Sequence, residues 1–326
     1  MKRKIVLFFL LVVLIFNSVN VNAEVISDGI GDINLAAERY YYTNVAYNDI
    51  IITRSALDKY EIFHINPNQK SLTATMYLTE WGVWNLGEWN LTTETGTKTI
   101  VGGATDWEYV LRVENPITQN LEFTGGNHGS EKFVSMGMYD AVTGEVFNLE
   151  VGESKYANRL VIEEKTALLL GELEYMPYAN VTRKYTFLGD RINLDSTIEF
   201  IRDTRLALSY SAMACVNKDF GRYCMFDDGF YVETAPKGEC SRTYLGNRAS
   251  MTAKLSGDDS EASLTVGIYN KKDMTDNFSN KDKTFIWDMS EGYNKLYFSR
   301  AKNAGTELIR SGTVWDFGSY WKINLQ

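Results

Sequence analysis

One loop-like segment concentrates residue types that could do chemistry. Residues 125–129 read Gly-Gly-Asn-His-Gly and contain one of only two histidines in the chain. Histidine exchanges a proton near neutral pH, glycine permits close ligand approach, and loops on a rigid scaffold commonly carry functional groups. We therefore predict that His128 and Asn127 take part in catalysis. We also predict that Gly126 and the following Glu131 contact a ligand. The alternative is an ordinary wide hairpin loop with an exposed histidine.

Two later segments carry arginines and tyrosines that could assist this histidine. The first reads Thr-Arg-Lys-Tyr-Thr-Phe, and its alternation places Arg183 and Tyr185 on one strand face. In the second, a strand ends at an Arg-Asp-Thr-Arg turn that contains Arg202, and the next strand contains Tyr210. Taken singly, each of these four side chains is more typical of a salt-bridged surface than of a site.

Together these groups match the needs of β-elimination in a uronate polysaccharide. The reaction needs a group that neutralises the sugar carboxylate, a base that takes the C5 proton and an acid for the leaving oxygen. Asn127 or an arginine could neutralise the carboxylate, neutral His128 could be the base, and a tyrosine could be the acid. Since this chemistry requires no metal ion and no other cofactor, we predict none.

A tryptophan-rich stretch suggests how a glycan could be held. Trp81, Trp84 and Trp89 are three of the seven tryptophans, and glycine and asparagine lie between them. Indole rings stack on the apolar faces of pyranose rings, while amides and carboxylates bind sugar hydroxyls. We predict that these tryptophans bind substrate. The alternative is that they fill the ends of a sandwich core.

The N-terminus predicts export. Three basic residues precede the apolar run 5–16, and small residues precede a cut after Ala23, as in a secretory signal peptide. Residues 1–23 would be removed, leaving a secreted, extracellular chain from Glu24. A membrane-spanning helix needs about 18 consecutive apolar residues, and no later stretch of apolar residues is that long. We therefore expect no membrane partner after signal cleavage.

The charge balance excludes some partners. Loss of the three leader cations moves the formal net charge from -9 to -12. An acidic protein is a poor match for nucleic acid or an anionic membrane, which both favour a basic surface. The predicted partner is a polysaccharide or cell-surface glycan. The composition leaves the oligomeric state open.

The chain has three cysteines, an odd number for an exported protein. Cys215 and Cys224 flank a turn-like stretch, and we predict that they either pair across a hairpin or that Cys224 pairs with Cys240. Neither spacing fits a zinc site, and the histidines are distant, so no structural metal is expected.

Period-two alternation dominates from residue 59 onward, most clearly in residues 71–78 and 191–200. Such runs, separated by turn residues, are typical of half-buried strands. Weaker patterns predict short helices at residues 32–42 and 301–309. The four prolines mark no domain boundary. We predict an all-β fold, a single large and mainly antiparallel β-sandwich of the supersandwich or jelly-roll type spanning residues 24–326, with at most one or two short helices.

The order of the Gly-Gly-Asn-His-Gly loop, a strand bearing arginine and tyrosine, and the run Ile-Asn-Leu-Asp-Ser-Thr-Ile-Glu-Phe resembles a known family. Residues 107–216 are similar to galactose-mutarotase-like, or supersandwich, domains of carbohydrate-active proteins such as polysaccharide lyases. They also resemble β-rich glycan-binding domains of phage tails and bacterial surfaces. Lyases of the family commonly pair an asparagine with a histidine and a tyrosine, which implies Asn127, His128 and either Tyr185 or Tyr210. This sequence departs from those lyases in showing no helical toroid ahead of the sandwich, so we expect a lyase here to work from sheet and loops alone.

Two other functions remain open besides the lyase. The first is a non-catalytic glycan-binding or cell-surface interaction module. The second is a glycoside hydrolase, which needs two carboxylates at a set separation; Asp227 with Asp228, or Glu172 with Glu174, could supply them. The other histidine, His64, lies in an alternating run and is predicted to be a strand residue with a satisfied ring.

Overall fold

The computed structural model describes residues 50–65, 70–102, 106–170, 173–271 and 284–326. These residues belong to one compact unit, Tyr47–Gln326. The predicted signal peptide, the predicted helix at residues 32–42 and Glu172 lie outside the described residues. The domain boundaries drawn from the sequence therefore stay predictions.

The described chain is built almost entirely from strands. It contains a 3₁₀ turn at Gly126–His128 and a one-turn helix, α1, at Lys218–Gly221. The strands are β1 (Ile50–Ala56), β2 (Lys59–Ile65), β3 (Ser71–Leu78), β4 (Trp84–Thr93), β5 (Gly96–Val101), β6 (Tyr109–Glu114), β7 (Leu121–Thr124), β8 (Glu131–Asp140), β9 (Ser154–Ala157), β10 (Leu160–Leu170), β11 (Leu173–Phe187), β12 (Arg191–Phe200), β13 (Thr204–Asn217), β14 (Tyr223–Phe226), β15 (Tyr231–Glu233), β16 (Tyr244–Arg248), β17 (Thr252–Ser256), β18 (Ala262–Asn270), β19 (Thr284–Trp287), β20 (Tyr293–Ile309) and β21 (Val314–Leu325).

The strands form two antiparallel sheets. The large sheet has twelve strands in the order β16-β19-β20-β13-β5-β4-β3-β2-β1-β9, and β6 and β7 join it beside β13. The second sheet has nine strands in the order β15-β14-β17-β18-β21-β12-β11-β10-β8. This arrangement confirms the predicted all-β sandwich with few, short helices.

Alternation along the strands builds the core between the sheets. On β12, Ile192, Leu194 and Ile198 are buried in that core, whereas Asp195 between them is not. In the same core, Trp89 of β4 and Trp107, which precedes β6, are equally buried. Two sheets that each bury one face against the other give this pattern. The strands predicted at residues 71–78 and 191–200 have the same bounds in the structure.

The other side of the large sheet, which points away from the second sheet, is called the outer face below. A separate small apolar cluster lies on it, formed by Val110, Met213, Phe285 and Tyr297. On β6, Tyr109 and Leu111 pack in the main core. Val110 and Arg112 alternate with them and therefore point to the outer face. The outer face is therefore partly apolar, which matters for the site.

The helix predicted at residues 301–309 is wrong, because that segment is the second half of β20. Its residues pair with β13, for example Glu307 with Leu206 and Ile309 with Thr204. Alanine, lysine and leucine favour a helix, but helix propensity is a weak preference that long-range strand pairing overrides.

The predicted disulfide is also wrong, because all three cysteines are free thiols. Cys215 lies on β13 of the large sheet, whereas Cys224 lies on β14 of the second sheet, so α1 connects two sheets rather than closing a hairpin. Cys240 lies between β15 and β16 and is only partly buried. Burial raises the pKa of Cys215 and of Cys224 to about 12, which makes both thiols unreactive at neutral pH.

Candidate functional site

The Gly-Gly-Asn-His-Gly segment connects β7 of the large sheet to β8 of the second sheet, so it is not the turn of a hairpin. The amide of Gly125 donates to the carbonyl of Gly129 at 3.0 Å and closes the loop. Gly125, Gly126 and Gly129 have φ angles of 79°, 56° and 69°, a region that side chains rarely occupy. The three glycines are therefore needed by the backbone itself.

Gly126 is also required by its surroundings. A Cβ atom added there would lie 2.3 Å from Oδ1 of Asp106 and 3.0 Å from the carbonyl oxygen of Tyr109. Asp106 has little freedom to move, because its side chain accepts the amide of Asn127 and pairs with Lys295. Gly126 is buried and holds the loop against Asp106, a role that differs from the ligand contact predicted for it.

We expect Gly126→Ala to lower the free energy of unfolding by about 1–3 kcal/mol more than Gly144→Ala does. Gly144 has a φ of 76° but has no atom within 4 Å of an added Cβ, so it reports the backbone strain alone. Urea unfolding of both variants measures the difference. Equal losses in the two variants would contradict the close packing of Gly126 on Asp106.

Asp106 is the centre of a polar cluster on the outer face. Lys295 Nζ lies 3.3 Å from Asp106 Oδ2, and Nε2 of His128 lies 3.7 Å from the same oxygen. Asp106 and Lys295 are buried, whereas the His128 side chain is 40% exposed. The Asp106 carboxylate therefore lies beside Nε2, one of the two imidazole nitrogens of His128.

The ring of His128 is supported by Phe123. The two rings are nearly parallel, at 20°, with centroids 4.7 Å apart. The guanidinium of Arg112 lies 5.1 Å from the centroid of Phe123, and Arg112 pairs with Phe123 across β6 and β7. His128 and Arg112 therefore both lie against Phe123 on the outer face.

Asn127 is fixed by a tyrosine of β3. The hydroxyl of Tyr77 donates to Oδ1 of Asn127. Burial and the charge of Glu108 raise the pKa of Tyr77 to about 12, so its hydroxyl keeps its proton at neutral pH. The amide nitrogen of Asn127 is thereby oriented by a group that the sequence did not single out.

Tyr210 reaches the outer face from β13. Its ring packs on Tyr297 with centroids 4.6 Å apart. Burial raises the pKa of Tyr210 to about 12, assisted by Tyr244 and opposed by the nearby charge of Arg112. Tyr210 is therefore a protonated hydroxyl near Arg112. Of the six residues predicted to be catalytic, the structure places His128, Asn127 and Tyr210 on or beside this face.

Arg183 and Tyr185 lie elsewhere, because the strand face they share is the inner face of the second sheet. Arg183 is fully buried and binds Oε2 of Glu164 at 2.6 Å and Oδ1 of Asn85 at 2.9 Å. Tyr185, also fully buried, donates to Oε1 of Glu108 at 3.0 Å. Neither side chain has surface that a polysaccharide could contact in this structure.

Glu131 belongs to the same buried group, called the Arg183 cluster below, which consists of Arg183, Tyr185, Glu108, Glu131 and Glu164. Oε1 of Glu131 accepts a hydrogen bond from Tyr109 at 2.6 Å and lies 3.7 Å from Arg183. Glu131 is therefore a core residue and cannot touch a ligand directly. Through Tyr109, whose ring packs against Gly125, it supports the loop from below.

The Arg183 cluster closes an edge of β4. That strand pairs with β5 only between Trp89 and Thr93. Earlier in β4 the amide of Trp84 donates to Glu164 at 2.9 Å and the amide of Leu86 donates to Glu108 at 2.8 Å. Buried backbone amides need acceptors, and these carboxylates replace the missing strand.

Burial of two of the three tryptophans rules out the predicted stacking on sugars in this structure. Trp89 is in the main core, and Trp84 packs on Tyr60 with ring centroids 4.7 Å apart. Their role is the alternative one, filling the core. Trp81 is partly exposed and lies beside Gly129, so it is the one of the three that borders the loop.

The remaining predicted residues have structural contacts. Arg202 is exposed in the turn before β13 and donates to the carbonyl of Pro177 at 3.0 Å. Asp227 accepts the amides of Met251 and Thr252, and Asp228 binds Arg248. His64 is a buried residue of β2, in the strand position predicted for it.

The sequence analysis missed Asp106, Arg112, Lys295 and Tyr77. A usable signal for two of them is a charged residue inside an otherwise apolar strand, as at Arg112 between Leu111 and Val113 and at Lys295 beside Leu296. Such a residue must find a partner or face solvent.

Within the described ranges, no group of three or more histidine, cysteine, aspartate or glutamate side chains could hold a metal ion. None of the helices in the described part of the chain has the length and apolar character needed to cross a membrane.

No family model and no curated protein matches the sequence. Solved structures do match the fold. A putative mutarotase from Salmonella typhimurium is 8% identical, with 89% of this chain and 100% of that chain covered at a TM-score of 0.45. The galactosidase domain of the α-galactosidase-sucrose kinase AgaSK is 11% identical, with 81% and 42% covered at 0.45. The Slr1438 protein from Synechocystis sp. PCC 6803 is 9% identical, with 84% and 98% covered at 0.44. At these identities and TM-scores the matches assign no activity to this chain.

Proposed function

We propose that this chain is a secreted carbohydrate-active protein that binds a uronate-containing polysaccharide on the outer face and cleaves it by β-elimination. The observation that carries the proposal is the position of the partly exposed His128. Its imidazole lies beside Asp106 and stacks on Phe123, the same ring that the guanidinium of Arg112 contacts. An imidazole oriented by a carboxylate is a general base, and a neighbouring guanidinium is a carboxylate receptor.

Each group has a role in the reaction. Arg112 binds the uronate carboxylate and acidifies the C5 proton, a role the sequence analysis gave to Asn127, Arg183 or Arg202. Nδ1 of His128 takes that proton, the C–H electrons form the C4=C5 double bond, and the C4–O bond breaks. The leaving oxygen takes a proton from Tyr210, whose raised pKa keeps it protonated at neutral pH. Asp106 positions the imidazole and stabilises its cation.

The proposed substrate agrees with the predicted localisation. A signal peptide at residues 1–23 would deliver the chain to the extracellular space, where polysaccharides and cell-surface glycans are found. The reaction needs no cofactor, since it consists of proton transfers and charge neutralisation. The site places the guanidinium of Arg112 on a protein of net negative charge, which gives an acidic sugar a local basic target.

The test is an assay on a panel of polygalacturonate, alginate, hyaluronate and glucuronan with the purified protein from Glu24 onward. We expect the ultraviolet absorbance of an unsaturated uronide to rise with at least one polysaccharide. His128→Ala should lower the rate by about a hundredfold or more, with unchanged thermal unfolding, because the His128 side chain is 40% exposed. If folded protein gives no absorbance rise with any of the four, the lyase proposal is wrong.

A non-catalytic glycan-binding module is the second candidate. The partly exposed rings of Phe123 and Trp81, which lie beside the loop, favour it. Such a module predicts that His128→Ala lowers affinity modestly and that no product forms. The hydrolase is less well supported, because Asp227 and Asp228 are engaged by loop amides and by Arg248.

A further inference from the structure

A row of side chains crosses the outer face from the edge of the large sheet towards Asp106. Tyr244 of β16 lies directly opposite Trp287 of β19, and Trp287 lies directly opposite Lys295 of β20. Directly opposed residues of antiparallel strands share one face. Because neighbouring strands are about 5 Å apart, the row extends about 10 Å from Lys295 to Tyr244.

The two aromatic rings of the row are exposed and firmly supported. Tyr244 is 60% exposed and Trp287 is partly exposed. Their rings lie 5.6 Å apart at 30° to each other. Beside them on the same face, Phe285 is buried and lies 5.3 Å from Tyr244, and the buried ring of Tyr297 stacks on Phe285 at 4.9 Å. Packing on Phe285 holds the ring of Tyr244 in place.

The row is continuous with the proposed reaction centre. Lys295, at its inner end, lies 3.3 Å from Asp106, and Asp106 lies 3.7 Å from His128. A polymer that placed one sugar at His128 and ran across the strands would therefore pass over Trp287 and then over Tyr244. The inner end of the row therefore lies next to the reaction centre, where the uronate would bind.

We propose that Trp287 and Tyr244 form a stacking platform for the sugar residues adjacent to the one cleaved, so that the substrate is a polymer rather than a mono- or disaccharide. This inference rests on the proposed function, which places the cleaved sugar at His128 and so sets the path of the polysaccharide across the outer face. Flat aromatic rings bind the apolar faces of pyranose rings. The occupant is a uronate polysaccharide, because the platform lies on the same face as Arg112, the proposed receptor of the uronate carboxylate.

The test compares Trp287→Ala and Tyr244→Ala with Tyr156→Ala, whose side chain is 72% exposed on β9 at the opposite end of the large sheet. Binding to each of the four polysaccharides is measured by affinity gel electrophoresis, in the otherwise native chain and with His128→Ala. We expect the two platform variants to bind one polysaccharide about tenfold more weakly and Tyr156→Ala to bind as the native chain does.

The outcomes separate the two proposals. If the platform variants bind and cleave the polymer as well as the native chain, the platform is wrong while the reaction at His128 stands. If no polysaccharide is cleaved but one is bound, and Trp287→Ala weakens that binding, the platform stands and the lyase reaction is wrong. If the native chain binds none of the four polysaccharides, the platform is overturned.

Discussion

Arg183→Met is expected to lower the free energy of unfolding by about 3–5 kcal/mol. Arg183 is fully buried and is the cation that Glu164 binds at 2.6 Å and Glu131 approaches at 3.7 Å. Methionine fills similar volume but leaves these buried carboxyl groups without a positive partner. Removing one partner of a buried ion pair is strongly destabilising for this reason.

Urea unfolding at pH 7 measures this loss. Arg202→Met is the matched control, because Arg202 is exposed and makes its described hydrogen bond to a backbone carbonyl; a change within about 1 kcal/mol is expected. The double variant Arg183→Met with Glu164→Gln should recover part of the loss, since one unpaired carboxylate is removed as well. A loss below 1 kcal/mol for Arg183→Met would show that the cluster does not depend on its cation.

The fold could be predicted from the sequence because its signal is local. Alternating apolar residues in β3 and β12 specify strands wherever one face is buried, and both strands have the predicted bounds. The failure at residues 301–309 has the opposite cause. Helix-favouring residues there are held in β20 by pairing with β13, which is distant in sequence.

The candidate site could be predicted only in part. The glycines around His128 mark a loop that needs left-handed backbone, and that signal is local. Alternation also placed Arg183 and Tyr185 correctly on one face, but it cannot tell whether a strand face points to solvent or to another sheet. Lys295 and Asp106 are brought together from distant parts of the chain, so their pairing depends on the complete topology.

The tryptophans show the same limit. Trp84 and Trp89 lie on one strand, β4, and both point into the core. The spacing and the neighbours of these tryptophans fit a sugar-binding surface loop and a filled hydrophobic core equally well. The platform formed by Tyr244 and Trp287 was not recognised, because its two residues come from strands that are separated in sequence and become neighbours only through the pairing of β16 with β19.

Between pH 5 and pH 8 we expect the free energy of unfolding to fall by about 2–3 kcal/mol. Burial raises the pKa of Glu164 from 4.5 to about 7, against the opposing effect of Arg183, and burial also raises the pKa of Glu108. A carboxyl whose folded pKa lies above its unfolded pKa favours folding when protonated. Its stabilisation is complete below the unfolded pKa and is lost as the pH rises to the folded pKa.

Glu164→Gln should flatten this profile, because the amide does not titrate. Glu163→Gln is the matched control: it is the preceding residue of β10, its side chain is partly exposed, and it pairs at 3.6 Å with Lys165, so the slope should stay as in the native chain. Urea unfolding at pH 5, 6, 7 and 8 gives the profiles. A native profile that is level or rises over this range would show that the Arg183 cluster holds no proton at pH 5. Its three carboxylates would then all be ionised in the core, and only Arg183 and the surrounding hydrogen-bond donors would compensate their negative charge.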